Sequence, residues 1–293
     1  MFKKITFRLA MFFVNLFFLF VIVSCSENET PSIEQEFVEK EVIVADFSNL
    51  VWSDEFDYEG RPETSKWHHQ IYAPNNGSWH NGEVQHYLDH EDNTFVSDGT
   101  LKIKAIKKNY TTQGVTKEFT SARMNSKYSF KYGKIEVRAK LPSGAGTWPA
   151  IWTLGANINE QGNYFGGQFG SVGWPNCGEI DIMEQNGWNK SQSYGYCHWG
   201  DTQTNEYKND GTVASIENSS EAFHLFTLIW DEEKIQIAID NEPFFKMSNV
   251  QSNPFDNAHY ILLNIAVGGS LGGDVPSNFV SETMEIDYVR VYQ

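Results

Sequence analysis

The chain is poor in cysteine, with 3 among 293 residues, which excludes a disulfide-framed scaffold. It is also poor in cations: 22 Lys and Arg face 38 Asp and Glu, a formal net charge of −16 at pH 7. A partner gripped through its phosphate backbone needs Lys and Arg, so nucleic acid is excluded. The same shortage disfavours sulfated polymers, which call for charge-assisted bonds from cationic side chains. A neutral polymer meets no such objection. No internal repeat and no convincing amphipathic helix is present. What the chain does have is aromatic side chains: 9 Trp, 13 Tyr and 21 Phe, 15% of the residues, a content foreign to disordered proteins. At this length folding buries roughly 75% of the surface the unfolded chain exposes.

Residues 1–24 carry Lys3, Lys4 and Arg8, then an apolar stretch from Leu9 to Val23, and no acidic residue. That order is a secretory signal; the apolar stretch is short of the ~20 residues of a membrane span. Its end, Ile22-Val23-Ser24-Cys25, resembles a bacterial lipobox. The resemblance implies cleavage before Cys25, lipidation of that cysteine, and an exported protein that touches the envelope membrane through its acyl chains only. Residues 25–44, with six Glu and one Lys, read as an acidic, disordered tether. Such a tether resembles the export signals of surface lipoproteins, which points to the outer-membrane surface.

Residues 45–293 read as one domain. Leu101-Lys102-Ile103-Lys104-Ala105, Gly133 to Ala139, Lys234 to Ile239 and Glu285 to Val291 alternate apolar and polar residues with period two, the mark of half-buried strands. Asp98-Gly99 and Asp240-Asn241 fall between such runs and predict hairpin turns. The Gly-rich stretch 162–173 predicts loop. The economical architecture is all-β, a single sandwich of two sheets. Oligomeric state is open, with a monomer as the simplest reading.

The segment Trp174-Pro175-Asn176-Cys177-Gly178-Glu179-Ile180-Asp181-Ile182-Met183-Glu184 carries three acids within an apolar β-type run. Strict alternation puts Glu179 and Asp181 on one face and Glu184 on the other. One extra residue bulged near Met183 returns Glu184 to the same side. Aligned like charges are costly on a sheet, so one of the three is expected to hold a proton near neutral pH. One ionised and one protonated carboxyl flanking a bond is what glycoside cleavage requires, and two Glu leaning over a shorter Asp reach the ~5.5 Å of the retaining geometry. Glu179 is assigned as nucleophile and Glu184 as general acid, then base, with Asp181 hydrogen-bonded to Glu179; spacing alone does not order the two Glu. The competing readings are a surface acidic strand, which would not be so apolar, and a divalent-metal cluster, which would more often recruit His or loop oxygens.

Gly178 to Glu184 resembles the signature of glycoside hydrolase family 16. So do Trp52 to Phe56, Thr120 to Met124, Tyr132 to Arg138, Trp148 to Trp152 and Asp287 to Tyr292, and the resemblance covers roughly residues 50–293. It implies a concanavalin A-like jelly-roll β-sandwich of two curved antiparallel sheets, and retention of anomeric configuration without a cofactor. It also implies the first Glu as nucleophile and the last as acid/base. The form with the extra Met is shared by laminarinases, agarases and carrageenases. The expected activity is endo-hydrolysis of internal β-1,3 bonds in laminarin-like glucan. A mixed-linkage β-1,3-1,4-glucanase, an agarase or carrageenase, and a non-catalytic glycan-binding jelly roll are the alternatives.

Sugars present flat apolar faces, so Trp and Tyr platforms are expected beside polar groups that fix hydroxyls. Trp148, Trp152, Trp174, Trp188 and Trp199 surround the acid strand in sequence. The resemblance selects Trp148 and Trp174 as platforms and leaves Trp152 to the core. It places Asn81 and Glu83 against sugar hydroxyls and Arg123 behind the same half of the cleft. His198 stands either near the acid/base or a sugar, or as a structural His. Cys177 and Cys197 could lie on neighbouring strands, where an exported protein permits a disulfide; two buried thiols are the alternative. A structural Ca2+ is implied at Asp287, with main-chain oxygens near Glu55 and Gly99.

Overall fold

A computed structural model of the protein describes residues 47–293. The signal segment 1–24, Cys25 and the tether to residue 44 lie outside the described residues. In chain order the strands begin with β1 (Leu50–Asp54), β2 (Trp67–His69), β3 (Gln85–Tyr87), β4 (Thr94–Ser97), β5 (Thr100–Thr112) and β6 (Val115–Ser121). The middle of the chain forms β7 (Arg123–Phe130), β8 (Gly133–Lys140), β9 (Thr147–Gly155), β10 (Glu179–Glu184), β11 (Gln192–Gly200) and β12 (Tyr207–Ser215). The rest forms β13 (His224–Trp230), β14 (Lys234–Ile239), β15 (Glu242–Ser248), β16 (His259–Val267) and β17 (Ser281–Tyr292), with a single helical turn, α1 (Gly269–Gly272), before the last strand.

These strands make two sheets, the jelly-roll sandwich expected from the sequence. One is ten-stranded, in the order β15-β14-β13-β8-β17-β5-β6-β3, with β1 added on β17 and β4 on β5. The other is seven-stranded, in the order β12-β11-β10-β9-β16-β7-β2. Pairing is antiparallel except between β3 and β6, which run parallel. The chain reaches β3 from β2 in the opposite sheet and not through a hairpin, so nothing forces an antiparallel return.

The alternation read from the sequence is the alternation of burial. In β8, Ile135, Val137 and Ala139 are buried while Lys134, Glu136, Arg138 and Lys140 face outward. Asp98-Gly99 and Asp240-Asn241 take positive φ at both residues, as two-residue hairpins of the twisted kind demand. The main core lies between the sheets: Leu101, Ile103, Ile135, Val137 and Ile286 from one meet Ile180, Ile182, Ile261, Leu263 and Ile265 from the other. Each such side chain contributes roughly 1.5–3 kcal/mol by leaving water. Strand β16 is buried along its whole length. Its second face, with Tyr260 and Leu262, packs with Leu154 of β9 into a smaller cluster on the opposite side of the sheet. That second face is where the cleft lies.

Candidate active site

Strand β10 runs between β9 and β11, and its register fixes where the acids point. Against β11, Glu179 pairs with His198, Asp181 with Tyr196 and Glu184 with Tyr194. Three steps along β10 thus match two along β11. Against β9, Asp181 pairs with Trp152 and Met183 with Ile151, so Ile182 is the extra residue. Ile182 and Met183 are consecutive and both fully buried in the core. Two neighbours on the same face are the signature of a bulge, and the detour brings Glu184 back beside Glu179 and Asp181. All three acids line one cleft of about 710 Å3.

Each glutamate is held by an indole. Trp174 Nε1 donates to Glu179 Oε2 at 3.1 Å, and Trp148 Nε1 donates to Glu184 Oε1 at 2.8 Å. The bond expected from Asp181 to Glu179 is not formed: Asp181 Oδ2 has no hydrogen-bond partner and lies 3.5 Å from His198 Nε2. Asp181 is the shortest of the three side chains and sits deepest, 3% exposed, at the floor of the cleft. His198 Nδ1 in turn meets the Tyr207 hydroxyl at 2.7 Å. Burial holds the imidazole below its ordinary pKa, so it is neutral near pH 7.

Burial, followed by the charge of Glu184, pushes Glu179 up to about 8, and burial pushes Glu184 up to about 7. The two titrate as a pair that retains a proton near neutrality. Their surroundings bias where that proton sits. Arg123 and the Trp174 indole favour the anion of Glu179. The charge of Glu83 favours the protonated form of Glu184, against the pull of the Trp148 indole. Asp181 is raised well above the ordinary carboxylate range by burial and then by both glutamates, with no group pulling the other way. Spacing does not order the two glutamates, and neither do these shifts, about 8 for Glu179 and about 7 for Glu184; the order of their roles is what the family resemblance implies.

Arg123 lies in β7, 5% exposed, in two hydrogen bonds to Glu160 at 2.8 and 3.2 Å. Its guanidinium sits over the rings of Trp79 and Trp152, 5.2 and 5.0 Å from their centroids. Glu83 accepts from Gln85 Nε2 at 2.6 Å and from the Tyr87 hydroxyl at 3.1 Å. Asn81 is exposed beside it in the left-handed region, and both line the cleft. Trp148 and Trp174 line it too. Trp152, expected in the core, also lines it, donating to Asn264 Oδ1 at 2.7 Å, because it shares the cleft face of β9 with Trp148. Trp199 is buried in the core, and Trp188, 61% exposed, does not line the cleft. His198 is not among the cleft-lining residues but stands across the strand pair from Glu179. Glu160, Tyr87 and Asn264 were not singled out from the sequence. Glu160 comes from the long loop after β9, where no spacing relates it to Arg123.

One expectation is corrected. Cys177 and Cys197 are both free thiols. Cys197 points into the main core while Cys177 packs in the cluster on the other side of the sheet, so their faces oppose and no bridge can form. At the Ca2+ position that the resemblance implies, Asp287 lies in β17, Glu55 just after β1 and Gly99 in the β4–β5 turn. The Asp287 carboxylate pairs with Arg138 at 2.5 Å and that of Glu55 with Arg290 at 2.7 Å, and these side-chain pairs leave the main-chain oxygens of Glu55 and Gly99 untouched. Gly99 serves the β4–β5 turn with φ of 72°.

The model of the family "Glycosyl hydrolases family 16" matches residues 81–290. The chain is 57% identical to the LamA catalytic domain from Zobellia galactanivorans, with a TM-score of 0.84, covering 84% of this chain and 98% of that one. A variant of that protein has been crystallised with laminaritriose and laminaritetraose. The chain is 36% identical to a β-glucanase from Rhodothermus marinus, over 83% of this chain and 85% of the relative. It is 34% identical to glucan endo-1,3-beta-glucosidase A1 from Niallia circulans, over 84% of this chain but 38% of that longer protein. With the signature acids gathered in one cleft, the chain belongs to glycosyl hydrolases family 16.

Proposed function

We propose that this protein is a retaining endo-β-1,3-glucanase acting on laminarin-like glucan. The observation that carries the reading is the convergence of Glu179, Asp181 and Glu184 on one cleft, each glutamate fixed by a tryptophan. The ionised Glu179 attacks the anomeric carbon as the bond to the leaving sugar breaks, and Glu184 passes its proton to the departing oxygen. A glycosyl ester on Glu179 results. Glu184, now a base, takes a proton from water whose oxygen attacks the same carbon and frees Glu179. Two inversions leave the configuration retained. Burial and the two neighbouring glutamates raise Asp181 above the ordinary carboxylate range, which lessens the negative charge in the site.

The β-1,3 preference rests on the 57% identity to a protein crystallised with laminari-oligosaccharides. A mixed-linkage glucanase is the second reading, favoured by the 31% identity to SCLam, a non-specific endo-beta-1,3(4)-glucanase. Release of reducing ends from laminarin, barley β-glucan, agarose and carrageenan separates these. Laminarin is expected to be the best substrate and carrageenan inert; no turnover of either glucan would sink the proposal.

The pH profile tests the assignment of Glu184. The Trp148 indole favours its ionised form, so Trp148→Phe should raise the Glu184 pKa and move the alkaline limb of kcat/KM to higher pH. An unmoved limb would take the acid role away from Glu184.

We also propose that the protein is exported and held at a membrane by acyl chains on Cys25. Support comes from the lipobox-like Ile22-Val23-Ser24-Cys25 alone. Metabolic labelling with a radioactive fatty acid should mark the parent and not Cys25→Ala; labelling of both would remove the anchor from this site.

A further inference from the structure

We propose that Glu179, Asp181 and His198 form a reversible site for a borderline transition-metal ion, Zn2+ or Cu2+, which shuts the active centre when filled. The β10–β11 register places Glu179 directly opposite His198, with Asp181 two residues along the same face. One ligand atom from each of the three lies within 4.8 Å of the others, the one such group of His, Cys, Asp or Glu found among the described residues. Asp181 Oδ2 and His198 Nε2 are 3.5 Å apart. Two ligands each about 2.1 Å from a tetrahedral ion stand about 3.4 Å from one another, so this edge already has the right length.

A second feature points to a ligand independently of the cluster. Asp181 is 3% exposed, yet its Oδ2 has no hydrogen-bond partner. Buried acceptors are nearly always satisfied, and this one faces an imidazole nitrogen across an open edge. The other ring nitrogen meets the Tyr207 hydroxyl at 2.7 Å, the kind of outer partner that orients a metal-bound His. Binding the ion releases any proton these acids hold, and two carboxylates then balance a dication. One imidazole with two carboxylate oxygens suits Zn2+ or Cu2+, whereas Ca2+ and Mg2+ demand six or more oxygen ligands. A metal held by Glu179 withholds the oxygen that attacks the sugar, so ion and substrate exclude each other. That consequence, though not the binding itself, rests on Glu179 being the nucleophile of the proposed glucanase.

The test is titration of the chelator-treated full-length protein with ZnCl2 by calorimetry, and with CoCl2 by visible absorption. One ion per chain is expected, with a visible cobalt band. His198→Gln and Asp181→Asn should each weaken binding at least tenfold while melting cooperatively without metal. In parallel, Zn2+ should raise the KM of the parent for laminarin without changing kcat, and a chelator should reverse this. No heat and no band up to millimolar ion, or binding untouched by both substitutions, would overturn the site. If the ion binds as described but the metal-free protein cleaves no glucan, the metal site stands and the glucanase reading falls.

Discussion

Glu179→Gln is expected to abolish nearly all turnover of laminarin, by about 10^3-fold or more, and at the same time to stabilise the fold. The loss follows because an amide cannot form the glycosyl ester. The gain follows from proton linkage. Glu179 is raised from 4.5 to about 8 in the folded protein, chiefly by burial and by Glu184. The folded state therefore binds more protons than the unfolded chain between these values, and stability falls as pH rises through that window. Gln carries no such penalty. The variant should match the parent near pH 4 and exceed it by roughly 4 kcal/mol at pH 8, a Tm gain of roughly 10 °C. Thermal melts at the two pH values, with binding of laminari-oligosaccharide to the inert variant, check both halves. A stability gain equal at pH 4 and pH 8 would mean that the Glu179 charge is not its source. Substantial remaining turnover would remove Glu179 from the chemistry.

Arg123→Met should be the most damaging single change to the cleft wall. The side chains of Arg123 and Glu160 are only 6% and 11% exposed, and their ion pair is 2.8 Å long. Removing the guanidinium strands a buried carboxylate, which costs about 3–5 kcal/mol, and also withdraws the cation packed between Trp79 and Trp152. A Tm fall of roughly 10 °C is expected. Because Arg123 favours the anion of Glu179, its loss should also move the acid limb of the activity profile to higher pH. The double variant Arg123→Met/Glu160→Met separates the two effects. It removes the stranded charge and should regain most of the stability, but the acid limb should stay displaced. A double variant as unstable as the single one would show that packing, and not charge, holds this wall.

Much of the architecture was legible because a half-buried strand writes its burial into every second residue. β8 and β5 carry that pattern residue by residue, and the Asp-Gly and Asp-Asn turns mark the hairpins between strands. The three acids were legible for the same reason, since the apolar residues among them could only belong to a strand buried on one face. Trp152 was misplaced because alternation says which residues share a face and not which face the cleft uses. The parallel pairing of β3 with β6 joins strands separated by two others in the chain, and no local signal encodes it.

The residue order alone determined that this chain makes β-strands, that a bulge must reunite Glu179, Asp181 and Glu184, and that its charge suits a neutral polymer. These follow from periodicity and composition, which are properties of neighbours in the chain. Only the folded sheets decided that Asp181 faces His198 and is not bonded to Glu179, and that the two cysteines stay apart. Each of those depends on charges and faces that distant strands bring within a few ångströms, where burial weakens the screening by water and makes position count for more than spacing.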